Sequence, residues 1–175
     1  MSKLVALSVS IGVLGAVATF ICLSVPGLLI WAAFIAWACF FHTGGTTGAL
    51  RTTIVCNIFG AVIAWVAALI LLHVPAGPVW ASIVVGLTVL VMCLGAHVAA
   101  FSTIPASVYG YAATFAFLLQ TPDMLKQDRL LSATFQNALV AVAVSMVIGA
   151  VFGWLSGKMA AALTSASPTP AAARV

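Results

Sequence analysis

The stretch RTTIVCNIFGAVIAWVAALILL, residues 51–72, decides how this chain folds. Behind Arg51 it carries no further charge, and Asn57 is its only amide. About 20 mostly apolar residues are what the roughly 30 Å hydrocarbon core of a bilayer demands of a helix. A water-facing helix of this length needs a polar face, and this one has none. The segment therefore reads as a membrane span, with Arg51 at its aqueous border.

Its flanks punctuate it. Upstream, His42-Thr43-Gly44-Gly45-Thr46-Thr47-Gly48 holds three glycines in seven residues, too many for continuous helix. Downstream, His73-Val74-Pro75-Ala76-Gly77-Pro78 turns the chain back. Further outward, proline, glycine and polar clusters delimit five more apolar runs: 4–24, 28–41, 79–98, 106–119 and 131–155. The expected fold is thus an all-α integral membrane protein of about six transmembrane helices, one membrane domain over residues 1–160. The Ala-, Ser-, Pro- and Thr-rich remainder, 161–175, is expected to be a disordered cytoplasmic tail.

Composition agrees with this reading. Of 175 residues, 65% are hydrophobic and only 5% charged, and the mean hydropathy is +1.30. Such a chain cannot cover a soluble surface, where about a quarter of residues are charged. The net charge of +4 does not imply nucleic acid, because Lys3, Arg51, Lys126, Arg129, Lys158 and Arg174 are scattered. Cys22, Cys39, Cys56 and Cys93 lie singly in apolar runs, as small buried residues do. The first run is too long for the core of a secretory signal, and Ser24-Val25-Pro26-Gly27 offers no small-x-small cleavage site. It is expected to be retained as the first span.

Short cytoplasmic loops carry the excess of Lys and Arg. With six spans and the N-terminus inside, Lys3, Arg51, Lys158 and Arg174 are cytoplasmic, while Lys126 and Arg129 share an outer loop with Asp123 and Asp128. Both termini are therefore expected in the cytoplasm.

The second and fifth segments begin at prolines in corresponding places, Pro26 and Pro105, and Arg51 to Asn57 loosely mirrors Leu131 to Asn137. This pattern suggests a three-plus-three inverted repeat, an architecture whose binding sites lie where the halves meet. Chance likeness between low-complexity apolar segments is the competing explanation.

The candidate site residues follow from polarity inside apolar sequence. His42, Thr43, Gly44, Gly45 and Thr46, with Arg51 behind them, form either a solute-facing loop or a cytoplasmic turn. Ser102, Thr103 and Pro105 either line the same vestibule or end a helix. Asn57 and Asn137, with Gln136 beside the latter, are amides placed within spans; each must find a partner, and one in each half suggests a pair meeting at the centre, either to hold helices together or to face a polar solute. Trp31, Trp37, Tyr109 and Tyr111 are candidates for an aromatic constriction, or for packing. Gly149, Gly153 and Gly157 recur every four residues and allow close helix approach, within the chain or between subunits of a homo-oligomer.

No acidic residue lies in any expected span, which argues against coupling to protons or sodium through a buried carboxylate. There is no serine-histidine-acid set, metal-ligand cluster or phosphate loop, so neither an enzyme nor a cofactor is expected.

The run Ile30 to Gly45, IWAAFIAWACFFHTGG, followed by Asn57 and by Phe101 to Ala106, FSTIPA, resembles a bacterial family of small inner-membrane proteins, domain-of-unknown-function family 1097. The resemblance covers most of the chain except the tail. It implies a multi-pass protein of the bacterial inner membrane and transfers no activity. A shorter likeness, Trp-Ala followed by glycine-rich sequence, is similar to one half of aromatic-acid and fusaric-acid exporters and transfers no substrate. The function expected from these readings is a channel or facilitator for a small polar solute, neutral or weakly charged. The alternatives are a transporter of a small organic anion and a non-transporting accessory protein.

Overall fold

The computed structural model describes residues 1–165, and among them every regular element is helical. The elements are α1 (Lys3–Ser24), α2 (Ile30–His42), α3 (Thr47–His73), α4 (Gly77–Leu94), α5 (Ile104–Gln120), the single turn α6 (Gln127–Leu130) and α7 (Ala138–Ser165). Two 3-10 turns, Gly95–His97 and Ala99–Phe101, join α4 to α5. Four stretches are long and apolar enough to cross a membrane: Lys3–Ser24, Thr47–His73, Gly77–His97 and Ala138–Thr164. The helices α2 and α5, with 13 and 17 residues, are shorter.

Helix ends follow local chemistry and correct three expected boundaries. α3 starts at Thr47, ahead of Arg51, because the Thr46 hydroxyl accepts the Ala49 N–H at 3.1 Å and caps the helix. The reversal before it falls to Gly44 and Gly45, at φ of +111° and +65°, where a side chain is disfavoured. α7 does not start at Leu131. Residues 131–137 are non-helical, and Asn137 Oδ1 accepts the Leu139 N–H at 2.9 Å while its Nδ2 donates to the Ser132 carbonyl at 2.9 Å. α7 also continues past the expected end of the domain at 160, through Ser165. The remainder of the expected tail, 166–175, lies outside the described residues.

Two helix pairs form the centre. In the first, α2 and α7 run in the same direction: the Leu29 N–H meets Ser145 Oγ at 2.8 Å, Gly149 lies on the Ala33 backbone, and Trp37 Nε1 donates to Ser156 Oγ at 3.1 Å. In the second, α3 and α5 also run together. Near the start of α5, Cys56 Sγ faces the Ala100 carbonyl at 3.6 Å, and just beyond its end Trp65 Nε1 donates to the Leu130 carbonyl at 2.9 Å. α1 lies against α7, and α4 against α3.

Small side chains make these contacts: Ala32, Ala36, Ala61, Ala64, Ala68, Ala113, Ala141 and Ala150 are all buried. Large apolar side chains point outward instead, among them Leu4, Phe20 and Leu23 on α1 and Val79, Leu87 and Leu90 on α4. That distribution suits lipid, which solvates leucine as well as another helix does, so helices associate through close backbone packing. Gly149 and Gly153 serve this purpose inside the chain, against Ala33 and Phe40. Of the two uses expected for these glycines, within the chain or between subunits, this is the first, at the α2–α7 interface. Gly157 is 4.0 Å from the Phe40 ring at the same interface.

The two ends of the bundle differ in charge. One end holds Lys3, Arg51 and Lys158, and no acid; Lys3 and Gly157 line a shared cleft, which puts the start of α1 beside the last turns of α7. The other end carries the α3–α4 turn and residues 121–137, with Asp123, Asp128, Lys126 and Arg129.

Candidate functional site

The polar side chains gather where α2, α3 and α5 meet. Thr43 at the end of α2 bonds through its hydroxyl to Thr53 Oγ1 of α3 at 3.0 Å and to the Phe40 carbonyl at 3.1 Å. One turn further along α3, Asn57 is 1% exposed, and its Oδ1 takes the Cys39 thiol at 3.6 Å. Asn57 Nδ2 is buried with no hydrogen-bond partner among the described residues, and so is Ser107 Oγ on α5. At 1.5 Å per residue, Asn57 lies about 9 Å along α3 from Arg51, inside the roughly 30 Å hydrocarbon core that begins there. A buried donor without a partner costs about 1–3 kcal/mol in a protein interior. The orphaned amide is therefore the most demanding group in the centre.

Nearer the cationic end, His42 Nδ1 and Tyr109 OH are 2.8 Å apart and link α2 to α5. Beneath them, α3 and α5 touch backbone to backbone. A Cβ on Gly60 would lie 1.8 Å from the Ser107 carbonyl oxygen, and one on Gly110 would lie 1.9 Å from that of Asn57. The crossing is closed in this conformation.

The remaining expected residues go elsewhere. Trp37 stacks between Phe34 and Phe152, against α1 and α7. Tyr111 bonds to Thr88 Oγ1 at 2.9 Å, against α4. Trp31 is exposed. Of the four aromatics that were candidates for a constriction or for packing, Tyr109 alone joins the polar centre. Ser102 and Pro105 are exposed, and Pro105 occupies the first turn of α5, where its missing N–H costs nothing. Thr103 is half-buried just before that helix. Gln136 is exposed and Asn137 caps α7, so neither sits within a helix and the expected meeting of Asn57 with Asn137 does not occur.

Besides the cleft lined by Lys3 and Gly157, two more open at the cationic end. Arg51 lines one of about 290 Å³ with Thr52, Val55, Ala99 and Ala100. Gly45 and Thr46 line another, about 330 Å³, with Thr47, Trp154, Gly157 and Lys158, whose ammonium lies 5.7 Å from the Trp154 ring centre. Arg51 and His42 do not share a cleft. At the opposite end, Asp123 pairs with Lys126 at 2.7 Å, which holds its carboxyl below the ordinary aspartate range.

Sequence reasoning missed Thr53, Cys39 and Ser107. Thr53 was within reach, since it lies four residues before Asn57 on the same helix face. Cys39 and Ser107 carry no local signal, being one thiol and one hydroxyl among many. Among the described residues, no three His, Cys, Asp or Glu side chains cluster as metal ligands do.

Small and polar side chains inside and large apolar ones outside define an all-helical protein with membrane-type helices. The chain belongs to a family known by the description "Protein of unknown function (DUF1097)", whose model matches residues 8–161. Neither a curated protein nor a solved structure gives a significant match.

Proposed function

We propose that the chain crosses the bacterial inner membrane six times as two inverted three-helix halves, and that the polar centre between them passes a small polar solute. The halves are α1–α3 and α4, α5 and α7. Exchanging them maps α2 on α7 onto α5 on α3, and α1 on α7 onto α4 on α3, which are the packings present. Residue spacing supports the same exchange. The starts of α2 and α5, at 30 and 104, are 74 residues apart, as are Ala33 and Ser107, the backbones met by Gly149 and Gly60. Trp37, wedged against α1 and α7, likewise lies 74 residues before Tyr111, wedged against α4 and α3. On α3 and α7 the spacing is 89, for Gly60 with Gly149 and for Trp65 with Trp154. The register differs from the one suggested by Pro26 with Pro105, and it places Met146, not Asn137, opposite Asn57. The cationic end, with Lys3, Arg51 and Lys158 and no acid, is assigned to the cytoplasm, so both termini lie inside.

The observation that carries the transport reading is Asn57 Nδ2, a donor buried where the halves cross and without a partner among the described residues. A solute with a carbonyl or similar acceptor would satisfy it, and Thr53 and Ser107 add hydroxyls nearby. Passage requires α5 to draw back from α2 and α3, breaking the His42–Tyr109 link. The competing reading, a non-transporting accessory protein, draws support from the close packing of Gly60 and Gly110. Stopped-flow light scattering on proteoliposomes separates the two. Urea and other small neutral solutes should cross faster than in empty vesicles without any ion gradient, and Asn57→Leu should remove the excess flux. Rates equal to empty vesicles across a panel of such solutes would refute transport.

A further inference from the structure

We propose that the outer face of α3 at its cationic end is a binding site for one anionic phospholipid, its phosphate on Arg51 and an acyl chain along the helix. This site is separate from the polar centre and does not depend on transport. The cleft holding Arg51 and Thr52 adjoins an apolar groove lined by Val55, Ile58, Phe59, Val62 and Phe101, with Val55 forming part of both. Arg51, Val55, Ile58 and Val62 follow at intervals of four, three and four, so they form one stripe on α3. Phe101 closes the groove by stacking on Phe59, ring centres 4.1 Å apart and planes 9° from parallel. The Phe59 ring fits there because residue 95 is glycine; a Cβ would lie 2.6 Å from it.

Charge and length together identify the occupant. Arg51 is exposed, and both acids among the described residues, Asp123 and Asp128, belong to the opposite end of the bundle. With no acid near it among the described residues, the guanidinium offers a phosphate paired N–H donors, and Thr52 lines the same cleft. From Arg51 to Val62 the stripe rises about 16 Å, close to half of the roughly 30 Å hydrocarbon core. A head at the interface and a chain reaching the midplane is the dimension of one lipid in one leaflet. A free anion would use the upper cleft alone and leave the groove without purpose.

Native mass spectrometry of the full chain tests this, with phosphatidylglycerol, phosphatidylethanolamine of the same acyl chains, and soluble glycerol phosphate as probes. Wild type should retain phosphatidylglycerol about fivefold more strongly than phosphatidylethanolamine, the weight of one interfacial cation. Arg51→Gln should abolish that preference, Arg51→Lys should keep most of it, and Lys158→Gln should leave it unchanged. Val62→Trp, which fills the groove and spares the head site, should weaken retention of both lipids several-fold. Helical circular dichroism should match wild type for each variant. The proposal is overturned by no preference in wild type, by a preference that survives Arg51→Gln, or by an equal loss in Lys158→Gln. Glycerol phosphate binding as tightly as the lipid overturns it as well, in favour of a free-anion site.

Discussion

The contact between α3 and α5 makes a sharp prediction about glycine. Replacing Gly60 with alanine adds a methyl group 1.8 Å from the Ser107 carbonyl oxygen and 2.9 Å from the Tyr111 nitrogen, both main-chain atoms that no rotamer change can move. Restoring even a 3.0 Å contact separates the helices by about 1.2 Å. A radial gap of 0.5–1 Å already forfeits a quarter to a half of each dispersion contact, and over-packing in well-packed cores costs about 1–3 kcal/mol. Against this stands the helix propensity of alanine over glycine, worth up to about 1 kcal/mol. A displacement of this size against main-chain atoms belongs at the upper end of the over-packing range, about 3 kcal/mol, so after the propensity gain Gly60→Ala should destabilise the protein by roughly 2 kcal/mol. Gly86→Ala and Gly12→Ala, on helices with nothing within 4 Å of the added carbon, should be neutral or stabilising. Reversible unfolding in mixed detergent micelles reads the difference directly. Gly110→Ala should behave as Gly60→Ala does, and the double variant should cost less than the sum, since one separation accommodates both methyl groups. A Gly60→Ala protein as stable as Gly86→Ala would show that the helices do not meet backbone to backbone, and the assignment of α5 to α3 would fall.

Three further outcomes follow from the same geometry. Asn137→Ala should cost about 1 kcal/mol in the same unfolding assay, as loss of a helix cap does, with solute flux in proteoliposomes unchanged; a loss of flux would return Asn137 to the polar centre. The Asp123 carboxyl, held low by Lys126, stabilises its loop as the anion, so this contribution persists above the ordinary aspartate value of 3.8 and fades as pH falls through the lower folded value. Nuclear magnetic resonance titration in micelles should place its midpoint below 3.8, and Lys126→Gln should raise it; an unchanged midpoint in that variant would reject the pairing as the cause. Finally, in a cysteine-free background, a cysteine at Asp128 should react with membrane-impermeant maleimide from outside intact cells and one at Lys158 should not, whereas labelling of both or the reverse pattern contradicts the assigned orientation.

The local sequence settled what kind of solvent this chain meets. Long runs without charge, such as 52–72, leave only lipid as a surrounding for their helices, and breaks at Gly44-Gly45 and Pro75 to Pro78 are chemical in origin, so they are visible in order along the chain. Asn57 is a buried amide, as expected, because a polar group inside an apolar run of about twenty residues has nowhere else to go.

Tertiary structure decided the rest. Asn137 is buried as expected, but as the cap of a helix that begins at Ala138 and not as an amide inside a span, since an asparagine inside a helix and one capping its start have the same neighbours in sequence. Gly149 and Gly153 could have faced another subunit; what they touch, Ala33 and Phe40, lies more than a hundred residues away. Trp37 and Tyr111 were candidates alike for a constriction or for packing, and they pack on opposite sides of the bundle. The reason is physical: in lipid every apolar helix face is equally content outside, so hydrophobic pattern does not say which face turns inward. Only close fit between backbones does, and that fit exists nowhere but in three dimensions.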